Sequence, residues 1–123
     1  MTARWALSAF FLFLCAASAL ADDAGPGAAD LQKCKICHSL DKNGASHVGP
    51  TLFGVFGRKA GTVVGYNYSD EMKQSGIVWD DETLAKFLRD PKTAIPRNHM
   101  SFPGITDDAV LADLIRRLKQ ATQ

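Results

Sequence analysis

The chain places two thiols and an imidazole within five consecutive residues, Cys34-Lys35-Ile36-Cys37-His38. Cys-x-x-Cys-His is a pattern of covalent haem attachment. On one helical turn, cysteines three positions apart present their sulfurs to one side. That suits two thioether bonds to the vinyl groups of a haem, and the histidine that follows can swing beneath the iron as an axial ligand. The bare motif has other readings. A disulfide could join Cys34 and Cys37, leaving His38 incidental. A thioredoxin-like redox pair needs a βαβ context, which the hydrophobic pattern lacks. A zinc site needs a fourth ligand beside Cys34, Cys37 and His38, and His47 or His99 could supply it, though neither belongs to a second paired motif. The haem reading alone demands an export signal, a ligand for the other iron face and enough apolar residues to wrap a porphyrin.

An iron that only moves electrons needs that second axial group, because a six-coordinate centre changes little on reduction. The candidates are Met72, Met100, His47 and His99. Met100 lies in a loop bracketed by Pro96 and Pro103, where a methionine is less easily explained as core. Met72 fits packing within a short helix. A thioether is soft and neutral, favours Fe(II), and with one histidine gives a higher potential than two histidines would.

The first residues meet the demand for export. Arg4 precedes an apolar run from Trp5 to Ala19, and Ala19-Leu20-Ala21 is a small-x-small cleavage site. Residues 1–21 read as a cleaved secretory signal peptide, and the run is short for a membrane span. Cys15 lies inside it, preceded by Phe13 and Leu14 where a lipoprotein site needs small residues. The mature chain, one domain over residues 22–123, keeps two cysteines, both in the motif, and so is no disulfide scaffold. Losing Arg4 leaves thirteen basic residues against thirteen acidic ones. A formal charge of zero argues against binding nucleic acid or an anionic membrane.

The elements that must position these groups are helical. Asp22 to Gly27 leads, with Pro26 in the first turn, into a helix from about residue 27 to 37. Six glycines between Ser39 and Tyr68 break helix and strand alike. So long an irregular segment is admissible where it packs on a large cofactor. Ser69 caps a short helix that stops at Gly76. Ile77 to Trp79 is extended. Asp80 or Asp81 caps a helix to about Arg89 that Pro91 ends, with a loop following. Thr106 caps the last helix, where Val110, Leu111, Leu114, Ile115 and Leu118 make one stripe and Arg116, Arg117 and Lys119 suit the carboxyl end of the dipole. The class is all-α.

From residue 27 to 121 the chain resembles the class I cytochromes c, the small type that includes mitochondrial cytochrome c and its bacterial relatives. The resemblance rests on Cys34-x-x-Cys37-His38, Gly49-Pro50-Thr51-Leu52, Gly57-Arg58-Lys59-x-Gly61, Gly65-Tyr66-x-Tyr68, Gly76-x-x-Trp79, the helix from Leu84 to Pro91, Ile95-Pro96 and Met100-x-Phe102. It implies terminal helices that cross and a single haem c enclosed by helices and loops. Cys34 and Cys37 would bind the haem, and His38 and Met100 would ligate its iron. The Pro50 carbonyl would accept the His38 Nδ1–H, and Arg58, Tyr68 and Trp79 would hold a buried propionate.

The function so implied is a soluble periplasmic electron carrier, not an enzyme. It would be a monomer that docks transiently on membrane complexes such as cytochrome reductases and oxidases. The alternative is a haem enzyme or gas sensor with an open coordination site. The chain departs from the family in four places. The aromatic pair at the helix crossing is replaced by Leu31 and Arg117, so the crossing should rest on Leu31 against Leu114, with Gly27 allowing close approach. Phe87 stands where relatives have a tyrosine near the methionine sulfur, and cannot donate to it. Pro96-Arg97-Asn98-His99 replaces Pro-Gly-Thr-Lys, which should alter the loop. Lys33, Lys35 and Lys92 are the remnant of a lysine ring, so acidic partners should be steered weakly.

Overall fold

A computed structural model describes residues 24–123. The expected signal peptide, residues 1–21, lies outside the described residues. Five helices follow in order: α1 (Ala28–Cys37), α2 (Asp70–Gln74), α3 (Asp81–Arg89), α4 (Pro91–Ala94) and α5 (Asp108–Ala121). The described residues contain no strand, only an isolated bridge between Lys59 and Val78. The all-α expectation therefore holds. No helix among the described residues is long and apolar enough to cross a membrane.

Local chemistry sets the boundaries. Gly27 is the N-cap of α1, without a side-chain cap bond. Pro26 stands in the preceding turn rather than in the first helical turn, for Ala28 N–H closes on the Gly25 carbonyl at 3.1 Å. Ser69 caps α2 by accepting from Met72 N–H, and Gly76 follows it with φ +69°. Asp80, not Asp81, caps α3 in a reciprocal box with Thr83. Asp107, not Thr106, caps α5, accepting from the N–H groups of Ala109 and Val110. A carboxylate there also faces the positive end of the helix dipole. The expected loop after Pro91 begins instead as α4. Asp90 caps it through Thr93 N–H, and Pro91 takes its first turn, where a missing N–H costs nothing.

The core joins Leu84, Phe87 and Leu88 of α3 to Leu111, Leu114, Ile115 and Leu118 of α5, with Val55, Trp79, Ile95 and Ile105 from the connections. Each large side chain so buried stabilises the fold by roughly 1.5–3 kcal/mol. Leu31 of α1 is half-buried against this cluster.

The crossing of α1 and α5 is closest at Gly27. A Cβ there would lie 2.5 Å from Leu114 N and 2.9 Å from the Val110 carbonyl oxygen. Leu31 and Leu114 thus supply only part of the crossing. Asp113 supplies the rest: its carboxylate accepts from Gly27 N–H at 2.9 Å, from Arg116 Nη2 at 2.6 Å and from Arg117 Nε at 2.7 Å. Arg117 is 8% exposed, so it serves as one half of a buried clasp and not as a solvated dipole cation. These three donors, the two arginines first, hold the Asp113 carboxyl well below the usual carboxylate range.

The glycine-rich connection is fastened to the extended piece before α3. Gly57 N–H donates to the Trp79 carbonyl at 2.7 Å, Trp79 N–H to that of Arg58 at 2.9 Å, and Ala60 N–H to that of Ile77 at 2.8 Å. Arg58 and Trp79, distant in sequence, are thereby set side by side.

Candidate cofactor-binding site

The last turn of α1 carries Cys34 and Cys37 and ends at His38, whose backbone N–H donates to the Cys34 carbonyl at 2.9 Å. His38 itself is extended, with φ −119° and ψ 141°, which frees its side chain from the helix. Gly49 N–H donates to the Cys37 carbonyl at 2.9 Å and draws the next segment back along the motif. The imidazole lies on Gly49 so closely that a Cβ there would be 2.3 Å from His38 Cε1. Its Nδ1–H donates to the Pro50 carbonyl at 2.7 Å. That bond fixes the tautomer and leaves Nε2 with a lone pair. Burial pushes the His38 pKa down, the Pro50 bond opposes this, and the Arg58 charge adds to it. The ring is thus kept neutral, the form that binds a metal. Burial and the nearby Asp30 push the Cys34 thiol up to about 11. Cys34 and Cys37 are not joined in a disulfide.

These groups open onto a cavity of about 600 Å³, within the range of cofactor pockets. All eight residues singled out in the sequence lie on its wall: Cys34, Cys37, His38, Pro50, Arg58, Tyr68, Trp79 and Met100. Leu52, Val55, Leu84, Phe87 and Phe102 make much of the lining apolar. Met72 and His99 also reach the wall, and His47 does not. Among the described residues no three His, Cys, Asp or Glu side chains gather to hold a metal ion.

Donors cluster at one side. The Arg58 guanidinium donates to the carbonyls of Thr51 at 2.8 Å and Phe53 at 3.1 Å, which leaves further N–H groups of its five. Burial lowers its pKa. The Tyr68 hydroxyl accepts from Val63 N–H at 3.2 Å, and its ring meets Tyr66 edge-on at 4.7 Å. Trp79 is 7% exposed and packs on Phe87 with centroids 5.3 Å apart. Among the described residues its indole N–H has no acceptor, and no sealed side-chain polar atom lacks a partner. That N–H is therefore not sealed from solvent, and Trp79 lines the cavity.

The donor set fits a haem. Two thiols, an imidazole and a thioether line one cavity whose remaining lining is largely apolar. An acidic edge would meet Arg58 and the Trp79 N–H.

The Met100 loop holds two findings that the sequence did not disclose. Arg97 takes φ +58°, the conformation that a glycine would favour there. The loop therefore holds a glycine-type backbone at a residue that carries a side chain, and the Arg97 side chain pairs with Glu71. Asn98 is buried and hydrogen-bonded on both ends of its amide. The one signal for it was general, the habit of asparagine to bond nearby backbone in loops.

No family model matches the chain. Individual proteins do. The chain is 44% identical to cytochrome c2 of Blastochloris viridis over 114 residues, 90% of each chain. It is 50% identical to cytochrome c2 iso-2 of Magnetospirillum fulvum over 86 residues, 70% of this chain and 88% of that one. It is 44% identical to cytochrome c of Gibberella zeae over 91 residues, 74% of this chain and 86% of that one.

Proposed function

Since the chain belongs to the class I c-type cytochromes, electron carriers rather than enzymes with one covalently attached haem c, we propose that its haem is tethered through Cys34 and Cys37 and that its iron lies between His38 and Met100. The observation that carries this reading is the convergence of all eight residues on one cavity, with His38 Nε2 left free by the Pro50 bond. The bound haem supplies a one-electron Fe(III)/Fe(II) couple.

The chain does the rest. Burial favours the neutral imidazole, and Gly49 and Pro50 hold it oriented. The Met100 thioether brings no charge, and the apolar wall excludes water, so both favour the less charged reduced state. Arg58 and Trp79, with Tyr68 beside them, offer donors to a propionate in place of solvent. The carrier works in the periplasm after cleavage of residues 1–21. It is a monomer that docks transiently on redox proteins such as membrane-bound reductase and oxidase complexes. Steering toward acidic partners is weak, since few lysines remain and Lys33 is already paired with Asp30 at 2.8 Å.

Ferric spectra test the ligation. The protein should show a weak far-red band from iron–sulfur bonding and bind added cyanide slowly. Met100→Ala should abolish the band and bind cyanide at once. A high-spin unmutated protein that takes up CO or cyanide immediately would replace this reading with that of a sensor or peroxidase.

A further inference from the structure

The segment from Pro96 to Pro103 contains no helix or strand, yet it sets Met100 against the cavity. One buried side chain makes three hydrogen bonds that tie it down. Asn98 is 4% exposed. Its Nδ2 donates to the Pro91 and Ile95 carbonyls, each at 2.8 Å, which are the first residue and the C-cap of α4. Its Oδ1 accepts from Met100 N–H at 2.9 Å. Two acceptors meet the amine end of the amide and one donor meets the oxygen, so the amide fits in a single orientation. Lys92 Nζ closes on the Asn98 backbone carbonyl from the same side.

We propose that Asn98 is the positioning residue for the methionine side of the iron. It joins the end of α4 to the backbone of Met100 and fixes which residue of the loop faces inward. The neighbouring His99 is exposed while Met100 is half-buried. In an irregular segment, a slip of one residue would exchange a thioether for an imidazole at the same wall. The Asn98 Oδ1 bond to Met100 N–H opposes that slip, and the two Nδ2 bonds hold Asn98 itself. The proposal rests on Met100 as axial ligand.

The haem-loaded full chain tests it at neutral pH, with the far-red ferric band and the affinity for added imidazole as readouts. In Asn98→Ala the band should fall by at least half. Imidazole should bind about tenfold more tightly, the equivalent of one buried hydrogen bond. Asn98→Ser, which keeps a hydroxyl on a shorter arm, should lie between and serves if the alanine variant does not hold haem. A purely structural role would lower the unfolding temperature but leave the band and the imidazole affinity within twofold, and that result in both variants overturns the proposal alone. A far-red band absent from the unmutated protein overturns the ligand reading and this proposal with it.

Discussion

Two arginines stand where the chain departs from its family pattern, and they solve opposite problems. Arg117, at the crossing of α1 and α5, is 8% exposed and shares the Asp113 carboxylate with Arg116 and with Gly27 N–H. Arg97, in the Met100 loop, has an 81% exposed side chain and pairs with Glu71. At the crossing the glycine is kept and an aromatic contact is replaced. A buried charge can stand in for packing there because its partner also satisfies a helix N-terminus. In the loop a residue with a side chain takes a backbone conformation that favours glycine. Left-handed backbone costs a residue with a Cβ roughly 1–2 kcal/mol, and a surface ion pair returns about 0.2–1 kcal/mol. Charge can therefore replace shape where it is buried and shared, and it replaces conformational freedom poorly.

The sharpest way to break this contrast is Gly27→Ala. A Cβ 2.5 Å from Leu114 N meets backbone that cannot turn aside. The variant should lose about 3 kcal/mol, the upper range for overpacking, read from the midpoint of denaturant unfolding. A loss under about 0.5 kcal/mol would show that the helices have room and that the clasp alone sets their distance.

Asp113→Asn probes the clasp through pH. The folded Asp113 carboxyl titrates below its ordinary value of 3.8. Its contribution is therefore complete above that value and is lost as pH falls through the folded one. The gap in unfolding midpoint between the unmutated protein and Asp113→Asn should stay constant from neutral to mildly acidic pH and close under stronger acid. A gap that widens on acidification would contradict the clasp.

Arg97→Gly should give the smallest effect and one of opposite sign. Relief of the left-handed backbone is offset by the unfolded-state entropy of glycine and by loss of the Glu71 pair, leaving a gain of about 0.5 kcal/mol. A destabilised variant would mean that the Arg97–Glu71 pair holds the loop more firmly than its exposure suggests.

Much of this was legible in the residues because the constraints are short-range. Cys34 to His38 lie on one turn and the stripes of α3 and α5 repeat at helical spacing, whereas the parts of Pro50, Arg58, Tyr68 and Trp79 came from the family resemblance. The misses share a cause as well. Asp90-Pro91-Lys92-Thr93 holds a cap and a helix-starting proline, but read forwards from α3 the same proline looks like an ending. Thr106 and Asp107 compete for one cap, and only backbone geometry decides between them. The Asp113–Arg117 spacing is that of an ordinary surface pair, and its burial depends on Gly27, far off in sequence. Asn98 serves two carbonyls that become neighbours only once α4 has formed.

The bond from Gly27 N–H to Asp113 spans 86 positions of chain. Closing so long a segment costs on the order of 4 kcal/mol in loop entropy, and the covalent chain is what keeps the two partners at high effective concentration. Val64, 97% exposed, lies on that tether, in the kind of surface loop where proteases cut. One cut there would turn an intramolecular crossing into an association between two fragments. A nicked molecule would then depend on protein concentration for its integrity, and the intact one would not.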